Sequence, residues 1–235
     1  MTASPGHPAA ALAAVADQLS EQLATPPLPG PGLDSWQHQS LSAGAAGIAL
    51  LHGARAQASH GSLERAHTWL SLATEDGVSA GPGSGLWFGA PAVAFAITTS
   101  APGQYRSASQ ALNQAIGDMA KARLEAAYER IDAAARPELS EYDLVRGLTG
   151  LGAYLLHCVP EPRLLRQILR YLVRLTEPVP AADAVGLTAP GWWTSGNPSI
   201  HASTEGGHAN LGMAHGIAVI SCVKSLTQVG DEFFV

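Results

Sequence analysis

Apolar residues recur at helical spacing along most of the chain. Leu12, Val15, Leu19 and Leu23 share one face of a segment from about Pro8 to Ala24, the pattern of an amphipathic helix. Pro26, Pro27, Pro29 and Pro31, mixed with glycines, end it. A second helix is expected from near Ser42, whose hydroxyl suits an N-cap, through Ile48, Leu50 and Leu51. Further helices are expected over Leu63 to Ala73, about Ala90 to Thr99, about Gln104 to Ala135, Tyr142 to Cys158, and Arg163 to Leu175, with a last one starting near Leu211. A Gly/Ser/Pro loop fills 77–85. Residues 178–207 read as a loop of about thirty residues, a length usually tied to function or mobility. No segment alternates convincingly, so the expected fold class is all-α.

A short motif recurs where alternate helices begin. It reads Gly44-Ala45-Ala46-Gly47-Ile48, Gly89-Ala90-Pro91-Ala92-Val93, Gly147-Leu148-Thr149-Gly150-Leu151 and Gly216-Ile217-Ala218-Val219-Ile220. The pattern predicts a repeated helical hairpin. Small residues in a first turn allow close approach to neighbours. Such helices can converge on an axis, with unsatisfied N–H groups and positive dipole ends facing a shared cavity. Simple punctuation by glycine is the competing reading.

Composition narrows the function classes. The chain has 235 residues, one domain's worth, and 42 alanines, which favours close-packed helices. Its net charge is −6 and it has no basic stripe, which argues against nucleic-acid binding. No Lys or Arg precedes Arg55, so no secretory or transit signal is expected. The longest apolar stretch, roughly Gly85 to Ile97, contains Pro91 and is too short for a transmembrane segment. Two cysteines, Cys158 and Cys222, make no disulfide framework. A cytoplasmic location is the resulting expectation.

Two titratable residues precede glycine turns. Asp143 stands four residues before Gly147, and His215 one before Gly216. An aspartate at a helix start complements the dipole, and capping alone explains most such residues. A lone histidine is most often structural, yet imidazole also suits proton transfer near neutral pH. His201, His208 and His215 recur every seven residues near Glu205. Gly206-Gly207 and Pro198 argue against one helix presenting all three histidines to a metal.

The motifs resemble the lanthionine synthetase C-like cyclases. Tyr142-Asp143-Leu144-Val145 with Gly147-Leu148-Thr149-Gly150, and Asn210-Leu211-Gly212-Met213-Ala214-His215-Gly216-Ile217-Ala218, carry the resemblance. Ser40 to Gly47 and Pro190-Gly191-Trp192-Trp193 support it. It spans roughly residues 35–218. It implies an α/α toroid and zinc-assisted addition of peptide cysteine thiols to dehydroalanine or dehydrobutyrine. The implied partner is a dehydrated cysteine-containing precursor peptide, with an oligomer or a dehydratase as further partners. Asp143 and His215 match the family's proposed catalytic acid/base residues. They are expected to meet within about 12 Å, beyond which salt screens their interaction.

The chain departs from the family at the metal. Zn2+ is expected for the complete family, whose ligands are two cysteines and a histidine well downstream of Ala-His-Gly. Only 20 residues follow His215, and neither Cys158 nor Cys222 has a ligand context. Residues 219–235 contain no Ala and hold Lys224, Phe233 and Phe234. The expected organisation is an N-terminal helix and Pro/Gly linker over 1–34, an incomplete, partial α/α toroid over 35–218, and an atypical, truncation-like tail over 219–235. The expected function is thioether ring formation in a form lacking the zinc ligands. The alternatives are a non-catalytic peptide-binding or unstable fragment, and an α/α-barrel glycosidase pairing Asp143 with Glu141 or Glu205.

Overall fold

The protein is described by a computed structural model over residues 8–27, 35–159, 162–180, 188–195 and 206–217. The described residues form eight α-helices: α1 (Pro8–Gln22), α2 (Ala45–Gln57), α3 (Leu63–Thr74), α4 (Ala90–Ser100), α5 (Arg106–Asp132), α6 (Leu139–Tyr142), α7 (Leu148–Cys158) and α8 (Pro162–Arg174). A 3-10 helix covers Ser35–Gln39. The fold is all-α apart from two three-residue strands, β1 (Pro178–Pro180) and β2 (Thr188–Pro190), paired antiparallel. That ribbon lies in the stretch expected to be loop. Its proline-bounded strands are too short to show alternation.

The helices form two layers. The helices α2, α4 and α7, each following a glycine turn, stand side by side, α2 against α4 and α4 against α7. The helices α3, α5 and α8 cover them, α3 against α2 and α4, α5 against α4 and α7, and α8 against α7 and α5. Alanine makes the first contacts tight. Ala45, Ala46 and Ala49 of α2 meet Val93, Ala96 and Ile97 of α4 in one core. A Cβ on Gly53 would come within 2.4 Å of Ser100 Cβ, and Ser100 Oγ donates to Ala49 O across the same contact at 3.0 Å. The second half is built from larger groups, with Tyr142, Leu151, Tyr154, Ile168 and Tyr171 buried together. Within it Glu141 accepts from Arg130 at 2.7 Å and from Tyr171 at 2.5 Å.

Three helix starts differ from the sequence expectation. α2 begins at Ala45 behind Gly44, and Ser42 makes no cap to it. Its hydroxyl turns instead to Ser40 Oγ at 3.1 Å. The segment from Tyr142 to Cys158 is two helices, because the chain turns at Asp143 before α7 starts at Leu148. Residues 211–217 form turns where a helix was expected to start near Leu211. The rest of that segment lies outside the described residues.

α1 is the exception to core burial. Its ladder is exposed, Leu12 at 71% and Val15 at 53%, although the spacing predicts a buried face. The helix is held by its C-terminal end: Leu23 O accepts from Trp69 Nε1 at 2.9 Å and meets His52 Nε2 at 2.7 Å. The ion pairs Arg55–Asp17 and Arg65–Glu21 tie its polar side. Among the described residues no helix is long and apolar enough to cross a membrane.

Candidate active site

Two of the glycine turns share one backbone design. Gly47 N donates to Ser40 O at 3.2 Å, and Gly150 N donates to Asp143 O at 3.3 Å. In each turn a Cβ on the second glycine would strike a backbone carbonyl, Leu41 O at 2.1 Å and Leu144 O at 2.2 Å. Glycine is required because the helix start presses on the preceding turn. Thr149 Oγ1 donates to Tyr142 O at 2.5 Å and closes the third turn further.

The four turns lie next to one another at one end of the helices. Leu41 N donates to Trp87 O at 3.0 Å, joining the first to the second. A Cβ on Gly85 would meet Val145 O at 2.5 Å, so the second presses on the third. Arg123, from α5, clamps that junction. It donates to Pro82 O at 2.9 Å, Ser84 O at 2.7 Å and Arg146 O at 2.5 Å. Leu144 N donates to Ala214 O at 2.9 Å and joins the third turn to the fourth.

That last junction brings Asp143 and His215 together. Asp143 Oδ1 accepts from the backbone N–H of Arg146 at 2.7 Å and of Gly147 at 2.8 Å. Its Oδ2 lies 2.7 Å from His215 Nδ1. An ionised carboxylate only accepts, so Nδ1 carries the proton and Nε2 is the open ring position. Asp143 is 3% exposed, while the His215 side chain is 36% exposed. The fourth turn is shaped by Asn210, whose Oδ1 accepts from Gly212 N at 2.8 Å and whose O accepts from Ile217 N at 2.9 Å. Burial draws the Arg123 guanidinium below the usual arginine value, against the upward push of the Asp143 charge.

Chemically, this is an imidazole oriented by a buried carboxylate. The aspartate fixes the tautomer and the ring plane, and the imidazole is partly exposed. The pairing fits the expected separation with much to spare. Arg123 was missed from the sequence. It is one of three arginines in α5, 20 residues from Asp143, and no local pattern marks it.

The other candidates are placed elsewhere. Glu141, offered as a second carboxylate for Asp143, is engaged by Arg130 and Tyr171. Glu205, His201 and Cys222 lie outside the described residues. The His208 backbone pairs with Thr194. Cys158 ends α7, at the opposite end of that helix from the turns, and burial pushes its thiol up to about 11. Among the described residues no group of three His, Cys, Asp or Glu side chains is arranged to hold a metal. At the Asp143–His215 pair both carboxylate oxygens already accept hydrogen bonds. The described donor set therefore does not fit a catalytic zinc, which takes three protein ligands and an open position.

A family model described as lanthionine synthetase C-like protein matches residues 35–230. No curated protein matches the chain.

Proposed function

Because the chain belongs to the lanthionine synthetase C-like family, we propose that it acts on dehydrated, cysteine-containing peptides, with Asp143 and His215 handling the proton in thioether formation. The observation that carries this reading is the 2.7 Å contact between His215 Nδ1 and the buried Asp143 carboxylate. It leaves Nε2 to act as base and then as acid. The exposed apolar residues Trp87, Leu211 and Met213, on the second and fourth turns, offer contacts to a peptide near the pair.

The step balances without any other reactant. His215 Nε2 takes the proton of the cysteine S–H. The sulfur lone pair forms the S–Cβ bond to dehydroalanine or dehydrobutyrine, and the C=C π electrons move onto the carbonyl-conjugated Cα. The imidazolium then returns its proton to Cα. Substrate and product are isomers. Asp143 stabilises the imidazolium without taking its proton. General acid–base catalysis of this kind contributes about 10²–10⁴-fold. No step is assigned to a metal.

The test is incubation with a dehydrated cysteine-containing peptide, followed by thiol alkylation and mass analysis. Each ring removes one alkylatable thiol at unchanged peptide mass. Faster thiol loss with the protein, reduced about 100-fold or more in His215→Ala and Asp143→Asn, is expected. Thiol loss at the rate seen without protein overturns the reading.

A second reading is peptide binding without catalysis. It is favoured by the lack of a three-donor cluster among the described residues. Saturable binding of the dehydrated peptide with no thiol loss above the rate without protein selects it.

A further inference from the structure

At the end of the helices away from the glycine turns lies a cleft of about 860 Å³. This is within the roughly 300–1,000 Å³ range of ligand sites. It is bounded by the ends of α4 and α7, the first half of α5, and the start of α8. Its α7 wall, Leu155 and Val159, lies about 10–16 Å along the helix from Leu148, taking 1.5 Å per residue. It is therefore a separate place from the Asp143–His215 pair.

Gly117 lines this cleft in the interior of α5. A helix-interior glycine is less stable than alanine, because its backbone loses more freedom on folding. The other helical glycines of the described residues have a packing reason. A Cβ at Gly47, Gly53 or Gly150 would fall within 2.4 Å of a neighbour, and at Gly152 it would lie 3.3 Å from Ile168. At Gly117 a Cβ would meet nothing within 4 Å. In a chain with 42 alanines, the described residues give no packing reason for glycine there. A ligand approaching the α5 backbone does.

The lining shows what that ligand carries. Arg106, Lys121 and Arg163 face the cleft, and no described lining residue is a carboxylate, although the chain's net charge is −6. Asp118 stands beside the lining, accepting from Gln114 Nε2 at 2.9 Å and lying 3.4 Å from Lys121 Nζ, but the Lys121–Asp118 pair is exposed and so weak. Between the cations stand carboxamides. Asn113 Oδ1 accepts from Tyr154 OH at 2.5 Å, and Tyr154 is 1% exposed. That bond anchors the amide and leaves its N–H donors for the cleft. Gln110 adds a donor and an acceptor. Cations select carboxylates, and carboxamides pair with peptide N–H and C=O groups.

We propose that this cleft binds an acidic stretch of peptide, its backbone passing over Gly117 and its carboxylates meeting Arg106 and Lys121. The assignment does not depend on the chemistry at His215.

The test is fluorescence anisotropy with a labelled nonapeptide of alternating Glu and Gly, its Lys/Gly counterpart, and citrate as competitor. The acidic peptide is expected to bind with an affinity that falls as salt rises, and the basic one not to bind. Gly117→Leu fills the floor of the cleft and is expected to weaken binding at least tenfold. Its unfolding midpoint should stay the same or rise, since leucine is the better helix former. Lys121→Glu is expected to give a comparable loss, and Asp143→Asn none. Equal affinity for both peptides, unchanged affinity in Gly117→Leu, or displacement by citrate at equal carboxylate concentration would overturn the proposal.

Discussion

Ser40 and Asp143 occupy the same place in two turns of one design. Each carbonyl accepts the N–H of the glycine seven residues on. Each side chain caps its own turn. Ser40 Oγ accepts from Ser42 N at 3.2 Å and Ala43 N at 3.3 Å, and Asp143 Oδ1 from Arg146 N and Gly147 N. A hydroxyl is thus sufficient for the turn. The second carboxylate oxygen is surplus to it, and that oxygen meets His215.

This equivalence makes Asp143→Ser a separating variant. Stability is expected to fall by no more than about 1–2 kcal/mol, the scale of a cap. The His215 tautomer should lose its Nδ1–H preference, read by 15N NMR of the imidazole. Thiol loss in the peptide assay should drop by about 100-fold or more. A variant that retains the Nδ1–H tautomer and full activity would show that the carboxylate does not orient the ring.

Gly150 and Gly117 should respond in opposite ways to alanine. At Gly150 a Cβ would lie 2.2 Å from Leu144 O, and overpacking against backbone costs about 1–3 kcal/mol. At Gly117 the space is open, so alanine is expected to stabilise by about 0.5–1 kcal/mol. Urea titration reads both. Equal signs would contradict the packing described for the third turn.

Removing the Arg123 clamp should loosen the turn end without opening the helices. Arg123→Gln leaves three carbonyls short of a donor. The expected loss is about 1–3 kcal/mol. Amide exchange at Leu144 should quicken more than exchange in α8. Uniform quickening across the protein would mean that Arg123 supports the whole core.

Cys158 should behave as a half-buried thiol with little thiolate. With its thiol pushed up to about 11 by burial, it has far less thiolate at pH 8 than a free cysteine near 8.5. In a Cys222→Ser background, iodoacetamide should react roughly 100-fold more slowly in the folded than in the unfolded protein. Between about pH 8.5 and 11 the folded state keeps a proton that the unfolded state has lost, so this group lowers stability as pH rises. Cys158→Ala should flatten that part of the alkaline slope. Alkylation at equal rates in both states would place the thiol at the surface.

The exposed ladder of α1 should drive self-association. Leu12→Lys with Val15→Lys replaces two exposed apolar side chains with good helix formers. Sedimentation should show less association, with the unfolding midpoint unchanged. A lowered midpoint would mean that this face is buried.

The helices and their order are legible in the chain because each is set by its own spacing of apolar residues and bounded by nearby Gly or Pro. The long helix α5 and the glycine-led starts of α4 and α7 depend on residues within a few positions of each other. The turn at Asp143 is less legible: Tyr142 to Cys158 carries an unbroken apolar pattern, and the break comes from side-chain capping by Asp143. The ladder of Leu12, Val15 and Leu19 predicts burial by its period alone, but whether a neighbour covers the face depends on tertiary packing. The motifs around Asp143 and His215 mark both residues for chemistry without giving their geometry. Only folding brings together two groups 72 positions apart, through the Leu144 to Ala214 hydrogen bond. It also carries Arg123 from a different helix onto three carbonyls. Sequence fixes what is local because helix periodicity and capping act over a turn or two; the pair, its clamp and the cleft at Gly117 arise from contacts between elements, which no local pattern encodes.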